Sequence, residues 1–362
     1  MNLFSEKRKQ LLGKLTQSRW GTKWVAGLAV VCMLAPAAPM TYAETSPLKS
    51  KMFDLSESAE QLIRDKELHN GTVMQSFAVD DVNKRIYILQ LMAGGQQLPG
   101  ESGPVTGAQR DKNGDMTLTQ LDLKGNKLGY MFLKGFGHGV QMGVETDGDT
   151  TYLWTETDAV TEGSSGWGTQ LARFPFEDGK ILTPDAGELE KHQLIEGADR
   201  TTVNIDQANG LLTMRYRQDG AFRFGVYELE KVKHGTYEPI ADVAQPSMGT
   251  FQGFASYGGY LYLLEGNSYG SSGSVEPTGN TYITAVNLNT GDVVDKQLIT
   301  AGDDLTFREP EGMAVRIPDP KHPQKAELSF GFASSFTPLR LANVFTIDRL
   351  LPEQAIKNNH SE

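Results

Sequence analysis

Cysteine is all but absent: Cys32 is the only one in 362 residues, and it lies in a stretch read below as a removable leader. Disulfides, thiolate metal sites and cysteine nucleophiles are therefore excluded from the folded part, whose core alone must hold it together. Long apolar runs are equally scarce. One uncharged run, residues 24–34, stands near the N-terminus and is too short for a membrane span; no second run of spanning length follows. Helical periodicity is nearly missing as well, with residues 56–67 the one stretch that reads as a short helix. The chain has no nucleophile elbow, P-loop or H-E-x-x-H pair, and no signature of a cofactor or of an oligomeric state. The segment from Asp111 to Asp115 begins like a calcium loop but lacks the distal glutamate, so it reads as a plain turn.

Net positive charge is lacking too. Six basic residues, from Lys7 to Lys23, precede the apolar run, and Pro36, Pro39 and Thr41-Tyr42-Ala43 follow it. This is the pattern of a secretory signal, with cleavage expected after Ala43. Removing residues 1–43 takes six basic side chains and one acidic, leaving 28 against 44, a formal −16. A surface so charged repels nucleic acid and anionic membranes, so neither is an expected partner. The expected domains are a signal over 1–43 and one folded domain over 44–362, secreted or associated with the cell wall.

What the sequence does have is short β-type runs between Gly, Asn and Asp turns, in a recurring order of four. Residues 73–79, 85–90, 117–123 and 127–133 make the first unit. Residues 138–144, 151–155, 169–174 and 180–182 make the second. The third offers 201–205, 211–216 and 222–228, and the fourth 251–256, 260–264, 281–286 and 293–299. The fifth has only three runs: 311–317, 326–330 and 343–347. Five four-stranded units with the last one strand short predict an all-β, five-bladed β-propeller, closed by an N-terminal strand from residues 51–55 or 61–68. Six blades remain the alternative if an insertion hides one. Three Gly/Ser-rich insertions, 93–114, 158–168 and 267–279, occupy the same slot in their units and should share one face.

The first strand of each blade lines a propeller's axis, so residues leading into those strands are the candidate site. They are His69 and Asn70, His138, Asp199 and Arg200, Thr250 and Gln252, and Arg308, Glu309 and Glu311. Gln75, Gln252 and Glu311 begin echoing tetrads: Gln75-Ser76-Phe77-Ala78, Gln252-Gly253-Phe254-Ala255 and Glu311-Gly312-Met313-Ala314. Such amides, imidazoles and carboxylates suit sugar hydroxyls, while Arg200 or Arg308 would suit a single carboxylate or phosphate. They also have a bland reading, as groups that satisfy inner-strand backbone or pair with one another. His138, between Gly137 and Gly139, is the least crowded candidate for a ligand contact or acid/base. Trp154, Trp167, Tyr257 and Tyr269 are candidate stacking platforms for sugars.

Five motifs, His69-Asn-Gly-Thr-Val-Met-Gln-Ser-Phe-Ala78, Gly135-Phe-Gly-His-Gly139, Gly249-Thr-Phe-Gln-Gly253, Gly279-Asn-Thr-Tyr-Ile283 and Phe307-Arg-Glu-Pro-Glu-Gly-Met-Ala314, resemble a family of secreted bacterial proteins. That family is named after teichoic acid biosynthesis protein C. Its propeller domain is similar to that of receptor-binding tail proteins of phages of Gram-positive bacteria, and more distantly to helveticin-type bacteriocins. The resemblance implies a five-bladed propeller that binds a cell-wall glycopolymer such as teichoic acid. Two other functions are weighed beside it. One is a polysaccharide lyase acting on a uronate, with His138 or His69 as base, Tyr216 as acid and Arg308 or Arg215 neutralising the carboxylate. The other is a secreted bacteriocin-like protein.

Overall fold

The computed structural model describes residues 48–336 and 339–352. The leader and the cleavage point after Ala43 lie outside them. Along the chain, strand β1 (Glu60–Glu67) comes first. The first blade then runs outward from the axis as β2 (Met74–Asp80), β3 (Arg85–Leu91), β4 (Met116–Asp122) and β5 (Lys127–Leu133), with helix α1 (Gly107–Asn113) between β3 and β4. The second blade has β6 (Gly143–Asp147), β7 (Thr150–Thr157), the small hairpin β8 (Val160–Glu162) and β9 (Ser165–Trp167), and then β10 (Gln170–Pro175). Next, β11 (Ile181–Leu182) reaches back to pair in parallel with β5, and β12 (Glu190–His192) completes the second blade outside β10. Residues 180–182 were expected to be that outer strand; they extend the preceding blade instead.

The third blade is β13 (Asp199–Asp206), β14 (Leu211–Gln218), β15 (Ala221–Glu228), the short helix α2 (Leu229–Lys233) and β16 (Ala241–Ala244). The fourth is β17 (Phe251–Tyr257), β18 (Tyr260–Glu265), β19 (Tyr282–Asn287) and β20 (Val293–Leu298). The fifth contributes β21 (Glu309–Arg316), β22 (Glu327–Phe336) and β23 (Leu339–Ile347), and its outer strand is β1. Glu60 pairs with Thr346 and Glu67 with Leu341, so the N-terminal strand closes a ring of five antiparallel four-stranded blades. Of the two segments expected to do this, 61–68 supplies the strand, while Phe53 in the other makes a single bridge to Leu350. Residues 56–67 are thus not a helix. Their Glu, Gln, Leu, Arg and Lys favour one locally, but the open edge of β23 offers a full ladder of hydrogen bonds and prevails.

The buried apolar side chains fall into five large clusters, one at each boundary between blades. Phe136 and Phe174 belong to the first–second boundary, Trp154 and Tyr216 to the second–third, Phe224 and Phe254 to the third–fourth. Tyr262 and Phe330 belong to the fourth–fifth, and Ile63, Phe77 and Val344 to the fifth–first. Carboxylates latch neighbouring blades at the far ends of the inner strands. Asp80 accepts from Thr151 of the next blade, Asp206 from the Gly258 N–H, and Asp81 from Arg316 at 2.5 Å. Among the described residues no helix is long and apolar enough to cross a membrane.

Around the axis the inner strands are packed to contact. A methyl group added at Gly312 (φ +73°) would stand 2.6 Å from Ser76 Cα, and one at Gly253 would stand 2.7 Å from Gly312 Cα. Gln141, with no exposed surface, fills what space is left. Its amide nitrogen donates to Met142 O and Met313 O (2.9 and 2.7 Å), and its amide oxygen accepts from Phe254 N and Met313 N (3.1 Å each). One side chain of the second blade therefore ties the fourth and fifth across the axis, and the propeller has a filled centre at this level.

Candidate functional site

The echoing tetrads are β-bulges. The ladder slips between Met74 and Ser76 in β2, between Phe251 and Gly253 in β17, and between Pro310 and Met313 in β21. A bulge inserts an unpaired residue and re-aims its side chain. Here the inserted residues are Gln75, Gln252 and Glu311, and all three line a cavity of about 780 Å³ above the filled axis, at the entry ends of the inner strands. His138, Glu309, Thr250 and Arg340 also line it, as do Ala93, Gly94, Gly107, Ala108 and Asp111 of the first insertion. That insertion is a built wall. Arg110, fully buried, donates to both oxygens of Glu101 (2.5 and 2.7 Å) and to Asp115 (2.9 Å), and Thr106 caps α1. Asp115 is thus engaged by arginine, and among the described residues no group of three His, Cys, Asp or Glu side chains could hold a metal ion.

His138 is held from behind. The buried Glu156 carboxylate accepts the N–H groups of His138, Gly139 and Gly168 (3.0, 2.7 and 2.6 Å), which fixes the loop that carries the imidazole. The ring stacks on Trp167 (centroids 4.6 Å apart, 21°) of the β8–β9 hairpin. Its Nδ1 lies 3.5 Å from Asp111 Oδ1, and neither of these two buried atoms completes a hydrogen bond within the described residues. The Arg200 guanidinium lies 4.1 Å over the same Trp167 ring while pairing with Glu162 at 2.9 Å. Trp167, of the four candidate platforms, is the one beside the cavity residue His138. Trp154 is fully buried, Tyr257 packs on Phe53, and the Tyr269 hydroxyl is bonded to Pro277 O.

The acidic pair on β21 sets the electrostatics. Glu311 is 5% exposed and makes no side-chain hydrogen bond among the described residues, and the side chain of Gln75 likewise makes none. Burial, and secondarily the charge of Glu309, push the Glu311 carboxyl well above the usual carboxylate range. Burial also raises Glu309, with Arg340 pulling the other way. Arg308 answers neither carboxylate. Buried to 1% exposure, it donates to Ala301 O (3.1 and 2.8 Å), Ile299 O (2.7 Å) and Thr281 (3.3 Å), and lies over Phe332.

Arg308 is therefore a bracket for the segment before the last blade, and the structure places it outside the cavity lining. Arg308→Lys is expected to cost about 1–2 kcal/mol, because a lysine cannot reach several carbonyls at once. Thermal unfolding should show that loss, and an unchanged melting temperature would mean that the bracket is dispensable.

Four further expectations are displaced. His69 stacks on Tyr130 of the outer strand β5 (3.5 Å, 15°), away from the cavity, and burial lowers its pKa. Asn70 is buried, hydrogen-bonded to Thr117 and to Gln90. Tyr216 donates to Asp242 at 2.6 Å within the second–third core, and burial, reinforced by Asp242, pushes its hydroxyl up to about 12. Arg215 is clamped between Phe222 and Phe251 (3.7 and 3.9 Å) and bonded to Gln245. The acid and the cations required for a lyase are thus not assembled around His138. Gln141, which sequence reading passed over, stands in the tetrad position of the second blade, as Gln141-Met142-Gly143-Val144.

Known proteins share this fold. A family model described as the phage 5-bladed beta propeller receptor binding platform domain matches residues 73–346. The chain belongs to this family. The chain is 27% identical over 278 residues, 74% of its length, to a Bacillus subtilis (strain 168) protein named as a major teichoic acid biosynthesis protein C. It also superposes on the tail fiber of Staphylococcus aureus phage P68 with a TM-score of 0.62, at 19% identity over 80% of the chain, a likeness of fold. The chain spans 58% of the first relative and 52% of the second. Every cavity-lining position named above, from Gln75 to Arg340, falls inside the matched residues.

Proposed function

We propose that this protein is an exported, surface-acting propeller whose entry-end cavity binds the hydroxyl-bearing part of a cell-wall glycopolymer. In this reading residues 1–43 are its cleaved signal. The observation that carries it is the cavity lining: polar side chains from the first, second, fourth and fifth blades converge on one space, and Gln75 and Glu311 enter it without hydrogen-bond partners among the described residues. Polar groups left free in a concave site suit a ligand with many hydroxyls, and the His138 ring, backed by Trp167, offers the cavity a flat face for a sugar ring. Membership in a receptor-binding family and the name of the Bacillus relative support a surface glycan as the partner; teichoic acid is the first polymer to test. With Arg308 pinned and Arg200 paired, a phosphate has no free guanidinium from those two residues at the cavity.

The test is co-sedimentation with purified Gram-positive cell walls, intact or stripped of teichoic acid. Binding is expected to intact walls and to fall sharply on stripped ones. His138→Ala and Trp167→Ala should each weaken it about tenfold, the worth of one stacked or hydrogen-bonded contact. Equal binding to both wall preparations would remove teichoic acid as the ligand, and no binding to either would remove the cell-wall reading.

A further inference from the structure

We infer that the floor of this cavity receives a protonated amine, so that the bound unit of the polymer carries an ammonium group beside its hydroxyls. The inference rests on the glycan-binding reading and narrows its ligand. Three bulges place a side chain in the cavity, and two of them use glutamine; only β21 uses glutamate. The position therefore does not need an acid for its packing. Burying a carboxylate there without a partner is costly, so Glu311 supplies something the amides cannot.

Among the described residues no cation answers it. Arg308 is spent on backbone carbonyls, and Arg340 donates to Ser335 and lies over Phe307 at 3.7 Å. Among the described residues no basic group acts on Glu311, and Arg340 acts on Glu309 through its charge without a hydrogen bond. The groups facing the floor are Glu309 on the same strand, Asp111 from α1, His138 from the second blade and Arg340 from β23. Three carboxylates against one arginine and a histidine repel an anion and attract a cation. An ammonium offers three donors, which Glu311, Glu309 and the amide oxygens of Gln75 or Gln252 can accept. A docked ammonium favours the charged carboxylate of Glu311 against the burial that raises its pKa, so any proton it holds in the empty cavity passes to solvent.

The experiment is calorimetry of the full folded domain with two matched probes, a glucosamine tetramer and its N-acetylated counterpart, in buffers of different ionisation enthalpy. The amine is expected to bind at least tenfold tighter, with proton release. Glu311→Gln should close the gap between the two probes, removing the preference for the amine; should that variant not fold, Glu309→Gln and the wild-type comparison still decide. Equal affinities for the two probes, without proton release, would overturn the amine while leaving the glycan site standing. Binding of neither would overturn it too, and the wall sedimentation would then judge the broader reading separately. Calcium chloride binding that is lost in Glu311→Gln would assign the floor to a metal ion and overturn the amine.

Discussion

Gln141→Leu is expected to lower the unfolding free energy by about 3–5 kcal/mol and the melting temperature by roughly 10 °C. Leucine nearly matches glutamine in volume, so little of this loss comes from a cavity. It comes from stranding Phe254 N, Met313 N and Met313 O, which Gln141 satisfies in a region with no exposed surface. Each buried group left without a partner costs about 1–3 kcal/mol. The surroundings cannot close over the defect, because Gly253, Gly312 and Ser76 already touch across the axis. Gln141→Glu should be as damaging, since a carboxylate cannot donate to Met313 O unless protonated. Urea unfolding monitored by tryptophan fluorescence measures the effect, and a loss below about 1 kcal/mol would show that the axis tie is dispensable.

The second large effect concerns pH. Glu311 has a folded pKa raised above its unfolded value, so the native state binds more protons than the unfolded chain between those two values. Stability therefore falls as pH rises from the ordinary carboxylate range to the raised folded value, and the full penalty is present above it. Glu311→Gln abolishes this term. The variant should match the wild type below about pH 4 and become progressively more stable than it as pH rises, by a few degrees of melting temperature. Glu309, Glu327 and Asp206 are shifted in the same direction by burial and remain in both proteins, so only the difference between the two curves reports Glu311. Parallel curves from pH 4 to 9 would mean that Glu311 is not a buried, unpartnered acid.

Both residues show where sequence reading reached and where it stopped. The five blades were legible because their period is written in short apolar runs and Gly/Asn/Asp turns, and a missing last strand has one remedy. The cavity was half legible: Gln75, Gln252 and Glu311 repeat within similar tetrads, and one bulge geometry lies behind the echo. Gln141 sits in the same slot, but Gly143 replaces the aromatic or Met that marks the other tetrads, and the nearby His138 drew attention instead. His69, Asn70 and Arg308 precede first strands just as the cavity residues do. Position along the chain does not say which way a loop side chain turns, and theirs turn to Tyr130, to Thr117 and to backbone carbonyls. The 56–67 segment was misread because its local preference is helical and only the distant edge of β23 makes it a strand.

The pairing of that segment also constrains when the molecule can form. Glu60 meets Thr346 across nearly the whole length of the domain, and Phe53, wholly buried, meets Leu350. Until β23 has emerged from the ribosome, β1 has no partner and the fifth–first cluster lacks one of its walls. Contacts so far apart in sequence form late, because the loop between them must be closed first. The clasp that seals the ring thus works as a timer: the chain is kept from its final shape until the last blade has been delivered.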